Sequence, residues 1–413
     1  MKIALLNVKY SPNLGDGLLA ECLERELERA LPGAQVFSID LAGRRAWPLP
    51  GPSRRARAIA LLEALPQWAR RAAVRLALAL LVRLRLRRHV ARRLHGCDAV
   101  VVGGGNLLTD ADLNFPMKLA GALAETRRRR LPVAVHAVGA SRAWSPSGRA
   151  LFARALGAVP LAWVSLRDSR SQQAWADQLE SAGLPPARLA RDPGLLASRH
   201  WPAAPPPPDG PRAGLCITAP MALRYHADGP PAPDNLAAWY GDAARALVEE
   251  GFTVALFTNG SPEDRAYLAH HGPGWIAQAR GPVTLTNPFA DPAALAGFIS
   301  TCALVVAHRM HACIAAHSYG IPTIGLSWDV KLNSFFDLAG RANFIAETHC
   351  CPPEALRALV RRAMATGVDP AARDRLIAEA RADVAAMATR LAHHAARPAP
   401  RPATSPLPQK AHA

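Results

Sequence analysis

Short continuous apolar runs alternate along this chain with longer stretches in which apolar residues recur every three or four positions. Ile3–Val8, Val36–Ile39, Ala99–Val102, Val133–Val138 and Trp163–Leu166 are runs of the first kind, the pattern of strands covered on both faces in a parallel sheet. Leu18–Leu31 is of the second kind, with Leu19, Cys22, Leu23, Leu27 and Ala30 on one helical face. A strand-like run followed by a helix-like stretch, repeated, is the signature of βαβ units. The second half of the chain has the same rhythm. Leu215–Thr218, Thr253–Phe257, Leu304–Ala307 and Thr323–Leu326 read as strands, with helices over Asp234–Glu250, Asp291–Ser300 and Met310–Tyr319. In the second of these helices Asp291 is the N-cap and Pro292 the first helical residue.

Between the halves lies a stretch rich in proline, with four in succession at Pro205–Pro208. Such a run can enter neither sheet nor helix and makes a stiff extended connector. The expected organisation is an N-terminal domain at 1–200, a linker at 201–212, a second domain at 213–340, amphipathic helices at 353–395 and a disordered tail at 396–413. The fold class is α/β: two Rossmann-like domains facing each other across a cleft, with C-terminal helices.

Half of the 413 residues are apolar, which excludes a mainly disordered chain, and a mean hydropathy of +0.02 argues against a polytopic membrane protein. Charge is lopsided, with 49 basic against 32 acidic residues and a formal net charge of +17. Much of that excess is local, because Ser53–His95 holds 12 arginines and one acid, Glu63. Its centre, Ala72–Val82, is apolar except for Arg75 but far shorter than the ~20 residues that span a bilayer. Three readings stay open for this insert: a solvated helical hairpin packed on the domain, an amphipathic helix lying on an anionic leaflet, or a nucleic-acid contact. The last has no supporting motif, and aromatic residues make up only 6% of the chain, so stacking platforms are scarce. Seven scattered cysteines without a CxxC pair suggest free thiols in a reducing compartment and no zinc site. Met1 leads directly into the first strand rather than into a signal-peptide core. The expected location is the cytoplasm, with the insert offering a peripheral contact to the inner face of the membrane.

Ligands of open α/β sheets bind beyond the carboxyl ends of the strands, so the residues that follow each strand are the candidates. They are Ser11-Pro-Asn13-Leu-Gly15-Asp16-Gly17, Gly103-Gly104-Gly105-Asn106, Gly139-Ala-Ser141, Arg167-Asp168, His308-Arg309-Met-His311 and Trp328-Asp-Val-Lys331. The glycine run lacks GxGxxG spacing and a Walker lysine, so it is neither a dinucleotide fingerprint nor a P-loop. His-Arg-x-His at a strand-to-helix turn sets an imidazole beside a cation and a helix N-terminus, a combination suited to phosphate or carboxylate recognition with proton transfer.

Asn13-Leu-Gly-Asp16, Gly103-Gly104-Gly105, Arg167-Asp168, Asp192-Pro193, Arg309-Met-His311-Ala, Gly320-Ile-Pro322 and Asp329-Val-Lys331, in that order over roughly residues 1–340, resemble the polysaccharide pyruvyltransferase family. The resemblance implies a GT-B-like fold and transfer of the enolpyruvyl unit of phosphoenolpyruvate onto two hydroxyls of a sugar in a surface polysaccharide or exopolysaccharide, giving a cyclic ketal. It also implies donor binding and catalysis at Arg167, Arg309 and His311. The sequence departs from the pattern at His308 and in the size of the insert.

The residues suit such a donor. Arginine forks hold a carboxylate and a phosphate bidentately, so Arg167 and Arg309 are expected to clamp the anions, with Lys331 as a second phosphate contact. His311, kept protonated near neutrality by the bound donor anion, is the expected acid for the methylene carbon, and Asp16 or Asp168 the acceptor of a hydroxyl proton. Asn13, Gly15, Gly104, Gly105 and Asp168 complete the expected binding surface. No cofactor or metal is expected, phosphoenolpyruvate being a co-substrate, and the acceptor is a free or lipid-linked glycan. Two alternatives remain at this stage: a GT-B glycosyltransferase using a nucleotide sugar, and a basic membrane- or nucleic-acid-binding protein without catalysis.

Overall fold

The apolar runs become strands because helices cover them on both faces. In the computed structural model, residues 1–48, 66–221, 223, 235–327, 330–347 and 351–396 are described, and they form two six-stranded parallel sheets. The first contains β1 (Lys2–Asn7), β2 (Gln35–Asp40), β3 (Ala99–Gly103), β4 (Val133–Val138), β5 (Leu161–Leu166) and β6 (Arg188–Leu189), in the order β2-β1-β3-β4-β5-β6. The second contains β7 (Arg212–Cys216), β8 (Thr253–Phe257), β9 (Val283–Leu285), β10 (Leu304–Ala307), β11 (Thr323–Ser327) and β12 (Ile345–Glu347), in the order β12-β11-β10-β7-β8-β9. Each sheet reverses its strand order once, between β1 and β3 and between β7 and β10. A crevice for ligands opens at such a switch point.

Three of the strands escape the sequence pattern: β6, β9 and β12. All three are sheet edges of two or three residues, too short for an apolar run and needing cover on fewer sides. The Leu14–Ala30 helix begins at Leu14, not Leu18, with Asn13 as its N-cap. Gly15 and Gly17 in the first turn read as loop from propensity alone, yet they are helical because other chain segments press against them. A Cβ at Gly17 would stand 2.8 Å from Pro292 Cγ.

Three apolar clusters hold the molecule together. One lies between the first sheet and the helices of the Asn114–Arg128 side. The opposite face of that sheet is covered by the Leu14–Ala30 helix and by the far end of the Pro370–Ala395 helix, through Val384, Met387, Ala388 and Leu391. The third cluster fills the second sheet's core and runs through the junction, taking in Leu14, Leu18 and Cys22 from the first helix and Leu376, Ile377 and Ala380 from the last. The Pro370–Ala395 helix therefore belongs to both cores. Arg191, on the first-sheet side, donates its backbone N–H to Asp383 at 2.7 Å and pairs with Glu379 at 2.6 Å.

Within the arginine-rich insert, the helix Gln67–Leu81 continues through a π-helical turn, Val82–Leu86, into Arg87–Arg93. Val82, Leu86, Val90 and Leu94 are buried, and Gly121 makes room for them: a Cβ there would lie 2.5 Å from Val82 Cγ1. Arg87 donates to Glu125 at 2.8 and 3.0 Å. No helix of the described residues is long and apolar enough to cross a membrane. The insert's segment 53–65, Asp234, Trp328, Asp329, Cys350 and the expected disordered tail beyond Ala396 lie outside the described residues.

Candidate active site

The loops that follow β1 and β3 meet those that follow β8 and β10. Leu14 N–H donates to the Asn259 carbonyl at 2.7 Å, and the glycine after it brings the two halves into contact at His311. A Cβ at Gly15 would lie 2.8 Å from both Cβ and Nδ1 of His311. His311 Nδ1 stands 3.9 Å from Asp16 Oδ1, so the two expected catalytic groups face each other across the junction. Gly104 and Gly105 take φ values of +79° and +102°, the left-handed turn that glycine permits. A Cβ at Gly105 would lie 3.8 Å from Asp16 Oδ1, whereas Gly104 packs against Leu19 and Ala20 of the first helix.

Burial and charge displace the two titrating groups in opposite directions. Asp16 is pushed up to about 6 by burial, against the pull of a Ser11 hydrogen bond and the charges of Arg309, Arg44 and Arg167. His311 is pushed down to about 3, first by burial and then by Arg167, Arg309 and Lys331. The protonated imidazole expected near neutrality is one with a donor anion beside it; without that anion these causes hold the ring's pKa low. Three cations around a buried ring disfavour a fourth charge, and the ring is neutral.

The cations are themselves positioned. Arg167, almost wholly buried, approaches Asp192 at 3.4 Å and Asp168 at 3.6 Å. Gly139 gives its guanidinium room, since a Cβ there would stand 2.7 Å from Nη2. Arg309 donates Nε to Asp264 at 3.0 Å and reaches the same carboxylate with Nη2. Asp264, fully buried, also accepts from Ala219 N–H at 2.8 Å, so Arg309 is tethered to the second domain and only partly available to a donor anion. Lys331 meets Asn106: with the amide turned so that its nitrogen donates to the Gly139 carbonyl, its oxygen accepts from Lys331 Nζ at 2.9 Å. Asn13 and Asp168 are helix caps. Asn13 accepts from Gly15 N–H at 3.3 Å, and Asp168 from Ser171 N–H at 2.7 Å and Ser171 Oγ at 2.9 Å.

His308 lies outside this group. Its ring is fully buried and its Nδ1 lies 2.9 Å from the Tyr240 hydroxyl, which makes it part of the second core. Asp264 belongs to the site without having been singled out from the sequence, whereas Asn106 and Gly139 stood among the segments after strands, and Asp192 in a motif, with no role assigned. Ser261-Pro-Glu-Asp264 is a capping-box pattern, and Ser261 Oγ does accept from Asp264 N–H at 3.4 Å; that signal marks a helix start but not the arginine it serves.

Among the described residues, four buried polar atoms on this rim have no hydrogen-bond partner: His311 Nε2, Arg167 Nε, Thr218 Oγ1 and Asn259 Nδ2. An unpaired buried polar atom costs about 1–3 kcal/mol, a deficit that a polar ligand would relieve. The arrangement offers a neutral imidazole, a carboxyl group that titrates near neutrality and three cations, a set able to hold an anion and move protons.

Solved structures with this fold include UDP-GlcNAc 2-epimerase from Methanocaldococcus jannaschii, at 10% identity and a TM-score of 0.52 over 88% of this chain and 93% of that one. Another UDP-N-acetylglucosamine 2-epimerase shares 12% identity with a TM-score of 0.54 over 95% and 94%. The S. aureus MnaA–UDP structure shares 10% with a TM-score of 0.52 over 95% of each chain. These likenesses establish a GT-B-like architecture. No curated protein matches the chain. The model of the polysaccharide pyruvyl transferase family matches residues 13–330, from the Asn13 cap to the start of the helix that carries Lys331, and the chain belongs to that family.

Proposed function

We propose that this protein transfers the enolpyruvyl unit of phosphoenolpyruvate to two hydroxyls of a polysaccharide sugar, forming a pyruvate ketal and releasing phosphate. The observation that carries this reading, beside family membership, is the cluster of Arg167, Arg309 and Lys331 around His311, with buried nitrogens on His311 and Arg167 that make no hydrogen bond among the described residues. A small ligand with a carboxylate and a phosphate matches that many cations.

In this scheme the methylene carbon takes a proton and the adjacent carbon becomes oxocarbenium-like. The first sugar hydroxyl adds there, the C–O bond to phosphate breaks, and the second hydroxyl closes the ring. Of the two hydroxyl protons, one balances the new methyl group and the other leaves with phosphate. Asp16 as carboxylate accepts a hydroxyl proton. His311 is held neutral by burial and by Arg167, Arg309 and Lys331; a donor anion set among these cations adds negative charge beside the ring, raises the imidazole pKa and lets it carry a proton to carbon.

The test is phosphate release from phosphoenolpyruvate against galactosides, mannosides, glucosides and N-acetylhexosamines, with the ketal identified by mass. Turnover with at least one acceptor is expected. Release of a nucleoside diphosphate from a nucleotide sugar, with phosphoenolpyruvate left intact, would overturn the reading.

A further inference from the structure

The arginine-rich insert exposes more than charge. Leu76, Leu80 and Leu84 are 64%, 49% and 49% exposed, at a spacing of four residues that aligns them along one side of the helix. The buried residues Val82, Leu86, Val90 and Leu94 form a separate stripe, so the leucine ridge is not the face that packs on the domain. Single exposed leucines are ordinary, whereas an ordered row is a contact surface. Around it Arg75, Arg83, Arg85, Arg88 and Arg92 are exposed, and no acidic residue occurs between 66 and 95. A cavity of about 430 Å³ adjoins the ridge, lined by Leu84, Arg85, Arg88, His89 and Arg92 together with Arg45 from the loop after β2.

We infer that this face seats the protein on an anionic lipid leaflet, with the leucine ridge entering the acyl boundary and the arginine-lined cavity taking a lipid phosphate. Charge decides among the possible occupants. A second copy of the chain would set arginines against arginines across the symmetry axis. A nucleic-acid backbone would meet the arginines but leave the leucines in water. A leaflet with anionic headgroups above an apolar layer satisfies both kinds of residue, and arginine stems reach from one layer to the other.

The place of the surface matters as well. Arg44, next to Arg45, donates to the Tyr10 carbonyl at 2.7 Å, and the Tyr10 ring rests on Trp47 with centroids 5.2 Å apart. One wall of the cavity, Arg45, is therefore the sequence neighbour of the residue that holds Tyr10, where the chain turns toward Asp16. On the pyruvyl-transfer reading, a glycan carried on a lipid would be presented at the rim of the site; docking itself does not depend on that reading.

The experiment is vesicle sedimentation of the full chain with phosphatidylglycerol-containing and pure phosphatidylcholine vesicles at low and high salt. The wild type is compared with Arg85→Gln/Arg88→Gln/Arg92→Gln and with Leu76→Ser/Leu80→Ser/Leu84→Ser. Melting temperature, solution mass and turnover of a water-soluble acceptor are measured on the same samples. Binding to the anionic vesicles alone is expected at low salt. Loss should be about fivefold per arginine removed, near a hundredfold for the triple variant, and on the order of tenfold or more for the leucine variant, with melting and soluble turnover unchanged. Three results would overturn the inference: no binding at low salt, both variants binding like wild type, or RNA binding that ignores the leucines while vesicles are not bound. A leucine variant that only turns a dimer into a monomer would assign the ridge to self-association and overturn it too. Because vesicle binding is read without turnover, loss of this inference leaves the proposed reaction standing, and the converse holds.

Discussion

Asp16 and His311 lie 3.9 Å apart, yet burial moves the acid up to about 6 and the imidazole down to about 3. Such a pair divides the work of giving and taking a proton. Asp16 also pays a stability penalty that its pH dependence exposes. Its folded pKa is raised, so the penalty is complete above pH ~6, shrinks as the folded state takes up a proton, and vanishes below the ordinary carboxylate value. Asp16→Asn removes it, and the stability difference between variant and wild type should grow by on the order of 2–3 kcal/mol from pH 4 to pH 8, while turnover is lost. Urea titrations at the two pH values check this, and a constant difference would mean that the carboxyl is solvated. His311→Ala, in folded protein, should lower phosphate release by about 10²–10⁴. His308→Asn should instead lower melting and spare turnover, because its ring serves Tyr240. Both catalytic candidates were legible in the sequence because each follows a strand. Asp264 was not, and Asn106 and Gly139 were legible as positions but not as roles, since nothing local says that Asp264 will meet an arginine far along the chain or that Gly139 must clear space for Arg167.

Helix starts carry much of the site, and a cap can imitate a catalytic group. Asp168 is such a case: its carboxylate is taken up by Ser171 at 2.7 and 2.9 Å. Asp168→Ala should cost about 1 kcal/mol, and Asp168→Ser, which can still cap, should restore both melting temperature and turnover. Restored melting with absent turnover would return Asp168 to the reaction. The elements themselves were legible in proportion to their burial. β4, β8 and β10 occupy the residues that their apolar runs predict, whereas the edge strands β6, β9 and β12 leave no such run. Strand order was not legible at all, because it arises from crossovers between distant segments. That order nevertheless places the switch points beside the loops after β1, β3, β7 and β10, which is why Asp16, Gly105, Thr218 and His311 share one rim.

Across the whole molecule, buried neutral histidines set the acid limit. His136, His200 and His317 are pushed down to about 4, and His308 and His311 to about 3, in each case chiefly by burial. A lowered folded pKa means that the unfolded chain takes protons first, so stability is lost as pH falls from about 6.5 toward 4; Asp16 works in the opposite sense over the same window. Glu21, Asp192 and Asp383, also raised by burial, act in the same sense as Asp16, so the histidines' loss is partly offset. The melting temperature should therefore fall between pH 7 and pH 5, and one that barely changes would contradict this. The Pro370–Ala395 helix bears on a different property, the order of synthesis. Its residues Val384, Met387, Ala388 and Leu391 pack on the face of the first sheet that carries Ala99, Val101 and Ala134, so the middle of that sheet waits for a helix far along the chain. Until that helix leaves the ribosome, one face of the first sheet stays bare and sticky. Expression of residues 1–369 alone should give aggregates, and a soluble, folded product would show that the first sheet closes without this helix.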